Sequence, residues 1–561
     1  MGNKFVSYLN TLHNYNAQNP NSYGEKNVVN HFFGEVMVEV GLSKYIRDNI
    51  QQNEAHAIIL TGHAGDGKTS IMYQVLSDFE IIFDPDKKIA DYVLPTGKKC
   101  RCIKDFSEIP DEEKAQVLGE ALDMPKCGNF VFMVANTGPL INTFGSLFET
   151  LDEAEEAKIK LIEAMDSNTG KILDICGYKI CVINVAAVDN TYFATEFLNN
   201  IIKDNLWNEC TTCPKNMYCH IWRNKELIRK NKSRVFEFLN MHYVWITEHG
   251  KRLTIRSMTE QLAFMLTGGI NCDEVKNIDS YQLLFPNLFF GYVGTMINPR
   301  ALNILAVRIA NECNYDNKRM RIDEQILVNN DYSRVFGKKV AEIVEAAQYK
   351  NAYVSGWAEM IRRFFFFTNI FTDSEVIDQV YEDIFSKQYC RYLLLRNGKT
   401  TPSRTDANLV CDALSMIYVG TTNNDSIIPI TLSRESGITQ NVQLITGELY
   451  TKNIKIVQRE TKDSLFDGGQ KRYSLRLDVN RKELNSEITL PLLNFFEELK
   501  NGIISTDVDP QLSHGIESLK AELSELMSDD DDDTFDMIIL RHNGAKPVSL
   551  AITENGYLRE Q

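Results

Sequence analysis

Gly62-His63-Ala64-Gly65-Asp66-Gly67-Lys68-Thr69, with Ser70 next, is the run whose residue types and spacing point most directly to chemistry. Its glycines let a loop curl until backbone N–H groups point inward, where they cradle phosphate oxygens. Lys68 is placed to reach the β- and γ-phosphates, and the Thr69 hydroxyl to ligate Mg²⁺. The positive end of the following helix adds to the field. The context agrees: the apolar run Ala57–Leu60 precedes the loop and an amphipathic stretch, Ser70–Leu76, follows it.

Hydrolysis of a bound triphosphate needs a carboxylate near the metal and a group that orients water. Asp105 and Glu108 follow the apolar run Cys100–Lys104, at the tip expected for a Walker-B carboxylate on a neighbouring strand. Asp105 is the candidate Mg²⁺ partner and Glu108 the candidate water-activating residue, although a helix cap or solvated loop explains both as well. Asn136, after Phe130–Ala135, is the candidate γ-phosphate sensor; with a different strand order it takes the Walker-B tip instead. Arg256 and Arg300 each open a predicted helix and suit an arginine finger, within the chain or across a homo-oligomer interface.

A second constellation is Cys210-x-x-Cys213-x₅-Cys219. Three thiols so close suggest a structural Zn²⁺, for which the fourth ligand is His220 or Cys272. Neighbouring side chains diverge, which favours Cys272. Phe364–Phe367 reads as core packing rather than a base-stacking platform, and Asp529–Asp533 as a solvated loop.

The elements that must position these residues alternate from about 55 to 190. Strand-like runs are Ala57–Thr61, Glu80–Phe83, Cys100–Lys104, Phe130–Ala135 and Tyr178–Val185. Helical runs are Lys68–Asp78, Asp111–Ala121, Pro139–Thr150 and Glu153–Met165, with another near Asn27–Asp48. Alternation of this kind predicts a parallel sheet covered on both faces. The expected fold is α/β: an AAA+-like P-loop NTPase sheet with a helical lid or insert, a helical middle region and a C-terminal α+β module. The expected parts are an N-terminal helical segment (1–54), the nucleotide core (55–200), a lid with the cysteine staple (201–335), a helical domain (336–424) and the α+β module (425–561).

The 561 residues carry a formal net charge of -16, which argues against a naked nucleic-acid binder. No apolar run approaches the roughly 18 residues of a membrane span. The first residues lack the apolar core of a signal peptide, so a cytoplasmic protein with reduced cysteines is expected.

The order of parts resembles the DptF-like ATPases of DNA phosphorothioation-dependent restriction systems. The similarity runs through the glycine loop, Asp105-x-x-Glu108, Asn136-x-Gly138, the Cys-x-x-Cys-Pro segment with its third cysteine and Asn224, Leu253-Thr254-Ile255-Arg256, and Gly268-Gly269 to Cys272. This chain reads Lys104-Asp105-Phe106-Ser107-Glu108 where that family is expected to read Asn-Asp-Ala-Thr-Glu. The resemblance implies an ATP- and Mg²⁺-dependent subunit of a prokaryotic restriction or anti-phage complex, with DNA engaged through partner subunits and no membrane contact. The competing expectation is a nucleotide-gated assembly scaffold with little turnover. A P-loop kinase lacks a second substrate motif.

Overall fold

Ala57–Thr61 is buried at every position, as a strand covered on both faces must be. A computed structural model describes residues 2–15, 30–276, 280–321, 323, 356–368, 374–421, 426–431, 442–461, 471–503, 508–526, 534–541, 544–553 and 558–560. The chain divides into two compact units, one within Met1–Ile384 and the other built from Phe385–Thr461 and Lys471–Gln561.

The first unit opens with α1 (Lys4–Thr11), α2 (His31–Val36) and α3 (Gly41–Gln52). Two helices thus stand where one was expected near Asn27–Asp48, with residues 37–40 running between them outside any helix. Then come β1 (Ala57–Thr61), α4 (Lys68–Asp78), β2 (Ile89–Val93), β3 (Lys99–Ile103), α5 (Asp111–Asp123) and β4 (Phe130–Val134). α6 (Thr137–Gly145), α7 (Leu151–Ser167), β5 (Leu173–Ile175), β6 (Tyr178–Asn184) and α8 (Phe193–Ile201) complete the alternating part.

The six strands form one sheet in the order β2-β3-β4-β1-β6-β5. The four central strands are parallel, and the edge strands β2 and β5 are antiparallel to their neighbours. Pleating sends alternate residues into two cores. Ile58 and Leu60 join Ile71, Val75 and Ile183 on one face. Ala57 and Ile59 join Leu118, Met133 and Leu161 on the other.

The expected strand at Glu80–Phe83 is absent. Glu80 takes a positive φ of 57° and Ile82 is 91% exposed, so this apolar run is a turn leaving α4. The strand lies at Ile89–Val93 instead, an edge strand of alternating exposure tied to β3 by Arg101 Nε donating to Asp91 at 2.8 Å.

Helices follow: α9 (Asn208–Thr211), α10 (His220–Lys230), α11 (Lys232–Glu248), α12 (Ile255–Thr267), α13 (Phe285–Leu288) and α14 (Leu305–Glu312). α12 begins at the Thr254 cap, whose hydroxyl accepts the Ser257 amide at 3.2 Å, and ends on Gly268 in the left-handed region. Phe364–Phe367 are fully buried, with Phe366 stacked on Phe238 at 5.6 Å, so this quartet is core. Trp357–Phe367 and Ser374–Ile384 are helices of the expected helical domain (336–424); residues 336–355 lie outside the described residues.

In the second unit, Lys387–Arg396 and Arg404–Tyr418 are grouped with the strands that follow, whereas the sequence suggested a division at 424. One sheet orders Leu558–Glu560, Gly544–Ile552, Thr534–Arg541, Val442–Tyr450 and Ile427–Thr431; a second holds Ile454–Glu460, Tyr473–Val479 and Lys482–Glu487. Helices Leu490–Lys500 and Pro510–Leu526 complete an α+β arrangement. Asp529–Asp533 lies outside the described residues. Among the described residues no helix is long and apolar enough to cross a membrane.

Candidate functional site

The chain leaves β1 at Thr61 and turns through Gly62–Gly67 before α4 begins. Gly65 and Gly67 have φ of 91° and 84°, backbone that residues with a Cβ rarely adopt. Space is closed as well. A Cβ at Gly65 would lie 3.0 Å from Thr254 Oγ1, and one at Gly67 would lie 3.2 Å from Ile255 Cδ1. α4 has no side-chain cap, and Ile71 N–H to the Gly67 carbonyl, at 2.9 Å, opens its ladder. The amides of Lys68, Thr69 and Ser70 are left at the positive end of the helix without a helical partner.

Lys68 fills the loop they surround. Its Nζ donates to the carbonyls of His63 (2.8 Å) and Gly62 (3.0 Å), and Asn136 Oδ1 lies 3.5 Å away. Burial pushes its pKa down and the cations Arg256 and Arg252 add to that, while Asp66 and Asp105 oppose it. An ammonium held in this way gains from any anion brought beside it.

Two strand tips face the loop. Asn136 follows β4, which borders β1, while Asp105 follows β3, one strand further out. The acidic tip is therefore not on the strand beside β1, as the sequence suggested; that place belongs to Asn136. Asp105 caps the 3₁₀ turn Phe106–Glu108, its Oδ1 accepting from the Ser107 amide at 2.9 Å and from the Ser107 hydroxyl. Asn136 Nδ2 donates to Ser107 Oγ at 3.0 Å. A continuous polar chain thus runs Lys68, Asn136, Ser107, Asp105.

These groups line a cavity with about 240 Å³ of solvent-accessible space. Ala64, Gly65, Gly67, Lys68, Thr69 and Ser70 border it with Asp105, Asn136 and Arg256. Tyr8, Leu12, Phe33, Val36–Val38, Phe193 and Phe197 supply an apolar wall that sequence reasoning did not assign to the site. The periodic apolar residues Phe5, Val6, Tyr8, Leu9 and Leu12 were the available signal for the helix among them.

The remaining expected site residues fall elsewhere. Gly62, His63 and Asp66 complete the loop without lining the cavity. Glu108 is exposed and also outside it, its backbone carbonyl accepting from Lys88 Nζ at 2.8 Å. Arg300 is exposed just before the turn Ala301–Asn303 and does not line the cavity.

The fold gathers Cys210, Cys213, Cys219 and Cys272, each within electrostatic reach of the others. Every cysteine in the chain is a free thiol. Burial, reinforced by the neighbouring thiols, pushes Cys210 up to about 11. Asn3 sits among them: its Nδ2 lies 3.4 Å from Cys210 Sγ, and its carbonyl faces Cys272 Sγ at 3.9 Å. Among the described residues no group of three or more His, Cys, Asp or Glu is disposed to hold a metal ion. Asn3 thus contacts two of the four gathered thiols. His220, the other candidate, spends its Nε2 on the Thr267 carbonyl at 3.0 Å.

No protein-family model, curated protein or solved structure matches this chain.

Proposed function

We propose that this chain binds ATP with Mg²⁺ at the Gly62–Thr69 loop and hydrolyses it. The observation that carries the proposal is Lys68, a buried ammonium held by loop carbonyls beside free helix-start amides, facing Asp105 and Asn136 across one cavity. A polyphosphate is the ligand such a cradle suits. The Thr69 hydroxyl and Asp105 carboxylate border the same cavity and supply the oxygen donors a hard cation takes. Magnesium, when bound, neutralises charge on the transferring phosphoryl group. The apolar wall from α1, α2 and α8 suits a nucleobase.

Asn136, anchored through Ser107, orients the attacking water alongside Asp105, and Arg256 offsets charge developing on the phosphoryl oxygens. A loop after the central strand of a parallel β3-β4-β1-β6 array supports an AAA+-like P-loop NTPase core. The setting rests on the resemblance to DptF-like proteins: a cytoplasmic subunit of a prokaryotic DNA-restriction or anti-phage complex that reaches DNA through its partners.

The second reading is a nucleotide-gated scaffold with little turnover. It is favoured by the exposed Glu108, which leaves Asp105 as the one carboxylate residue lining the cavity among the described residues. Phosphate release by wild type and Lys68→Ala, with and without DNA and partner subunits, separates the two. Turnover that partners or DNA stimulate, and that Lys68→Ala abolishes, is the expected result. Binding of ATP without turnover in any mixture would favour the scaffold, and absence of ATP binding would sink both.

A further inference from the structure

Asp66 was expected among the nucleotide contacts, yet its fully buried side chain lies outside the cavity that Lys68 and Thr69 line. One oxygen, Oδ2, accepts the His63 amide at 2.8 Å and so braces the loop from within. The other, Oδ1, faces Arg252 Nη2 at 3.4 Å. Arg252 is itself anchored, since Nη2 also donates to the Val185 carbonyl at 3.1 Å, just beyond the end of β6.

Three further contacts join the same two segments. The Arg256 amide donates to the Gly65 carbonyl at 3.2 Å. Thr254 closes over Gly65, and Ile255 closes over Gly67. The segment Arg252–Arg256, which runs into the start of α12, is thus fastened to the glycine loop through an ion pair, a backbone hydrogen bond and van der Waals contact. Those residues end at Arg256, which lines the cavity.

We infer that Asp66 and Arg252 are positioning residues: their ion pair fixes the loop's cradle and registers it against α12, so that the phosphate-facing amides and Arg256 are set as one unit. The inference rests on the nucleotide-binding reading of the loop. A buried carboxylate paired directly with one arginine, with Lys68 the other cation in electrostatic reach, is a poor choice for stability alone, because loss of the arginine leaves the charge under-compensated. It does, however, fix geometry, as few other contacts between distant segments can. Neither side chain touches the ligand. Their effect passes through the His63 amide on one side and through Thr254–Arg256 on the other.

The test uses the full chain as wild type, Asp66→Asn, Arg252→Gln, the double variant and Arg252→Lys. Mg·ATP binding is measured by calorimetry, and amide hydrogen exchange is followed over 62–70 and 252–260 without nucleotide. Asp66→Asn keeps an acceptor for the His63 amide and removes only the charge. Each single variant is expected to weaken Mg·ATP binding by roughly tenfold, as loss of about one charge-assisted contact would. Exchange should rise in both segments, the double variant should be no weaker than the worse single one, and Arg252→Lys should recover most of the loss.

Additive losses in the double variant, or Asp66→Asn leaving exchange over 252–260 unchanged, would overturn the inference. Should Asp66→Asn fail to fold, Arg252→Gln at the partly exposed partner carries the same readouts. If wild type binds no ATP, the nucleotide reading falls and the positioning role falls with it. If wild type binds ATP but exchange in the two segments is uncoupled, this inference alone fails.

Discussion

Asn136 connects Lys68 to Ser107: its Oδ1 lies 3.5 Å from Lys68 Nζ while its Nδ2 donates to Ser107 Oγ at 3.0 Å. The amide is therefore oriented from behind by a hydroxyl that Asp105 also engages. A side chain fixed in this way acts on a water or a phosphoryl oxygen without reorganising.

Asn136→Ala is expected to lower kcat by roughly 10²-fold, in the range seen when one preorganised polar contact to a transition state is removed. The KM for Mg·ATP should change by only a few-fold, because the loop amides and Lys68 remain. Steady-state phosphate release checks the split. A raised KM with unchanged kcat would instead make Asn136 a ground-state binding contact.

Asp105→Asn and Glu108→Gln should behave differently, although the two acids sit three residues apart. Asp105 lines the cavity and its carboxylate is fixed by Ser107, whereas Glu108 is exposed outside it. Asp105→Asn is expected to cut turnover by on the order of 10²-fold or more and to raise the Mg²⁺ concentration needed for half-maximal rate. Glu108→Gln should leave the rate within about twofold, as a surface change does. Equal losses from the two changes would mean that the turn at Phe106–Glu108 rearranges when nucleotide binds.

What was legible in the sequence was what is local or fully buried. The glycine loop is contiguous, and its strand and helix adjoin it. Phe130–Val134 and Tyr178–Asn184 are apolar because both faces of the sheet are covered. Where burial and conformation part company the reading failed, as at Ile82, an apolar residue left in solvent by a turn. The edge strand Ile89–Val93 shows the converse, a strand whose alternate residues Ile89, Asp91 and Val93 stay exposed instead of joining a core. The apolar cavity wall was not legible because Tyr8, Phe33 and Phe193 are brought together only by the tertiary fold. Arg252 belongs to the same class: nothing near it in the sequence points to Asp66.

Lys68→Met is expected to abolish measurable Mg·ATP binding while leaving the protein equally or more heat-stable. Burial is the main cause of the depressed Lys68 pKa, so the folded state gives up free energy to keep that ammonium charged at neutral pH. The sign follows from linkage. A base whose folded pKa is lowered supports folding fully only above its unfolded value, and loses that support as pH falls through the folded one. Replacing the charge by an apolar chain of similar length removes this cost. Calorimetric titration with Mg·ATP and a thermal melt provide the two readouts. A large drop in Tm would show that the carbonyl contacts of Gly62 and His63 outweigh desolvation.

Glu260 should make wild type lose stability as pH rises across the neutral range. It lies on α12 one turn beyond Arg256 and is buried, which pushes its pKa up from 4.5 to about 7, with Arg256 pulling against the rise. Because the folded value exceeds the unfolded one, the stability associated with this group is fully present below about pH 4.5 and is lost as pH climbs through 7. Glu260→Gln mimics the protonated side chain and escapes that loss. The gap in unfolding free energy between the variant and wild type should therefore be small at pH 5 and widen towards pH 8, by about 1–3 kcal/mol. Other titrating groups are common to both proteins and cancel in the difference. Urea unfolding at pH 5, 6, 7 and 8 measures it. Parallel curves would mean that the carboxylate is solvated or paired in solution. A gap that widens further when Arg256 is also replaced by Ala would show that the arginine lining the cavity holds Glu260 ionised.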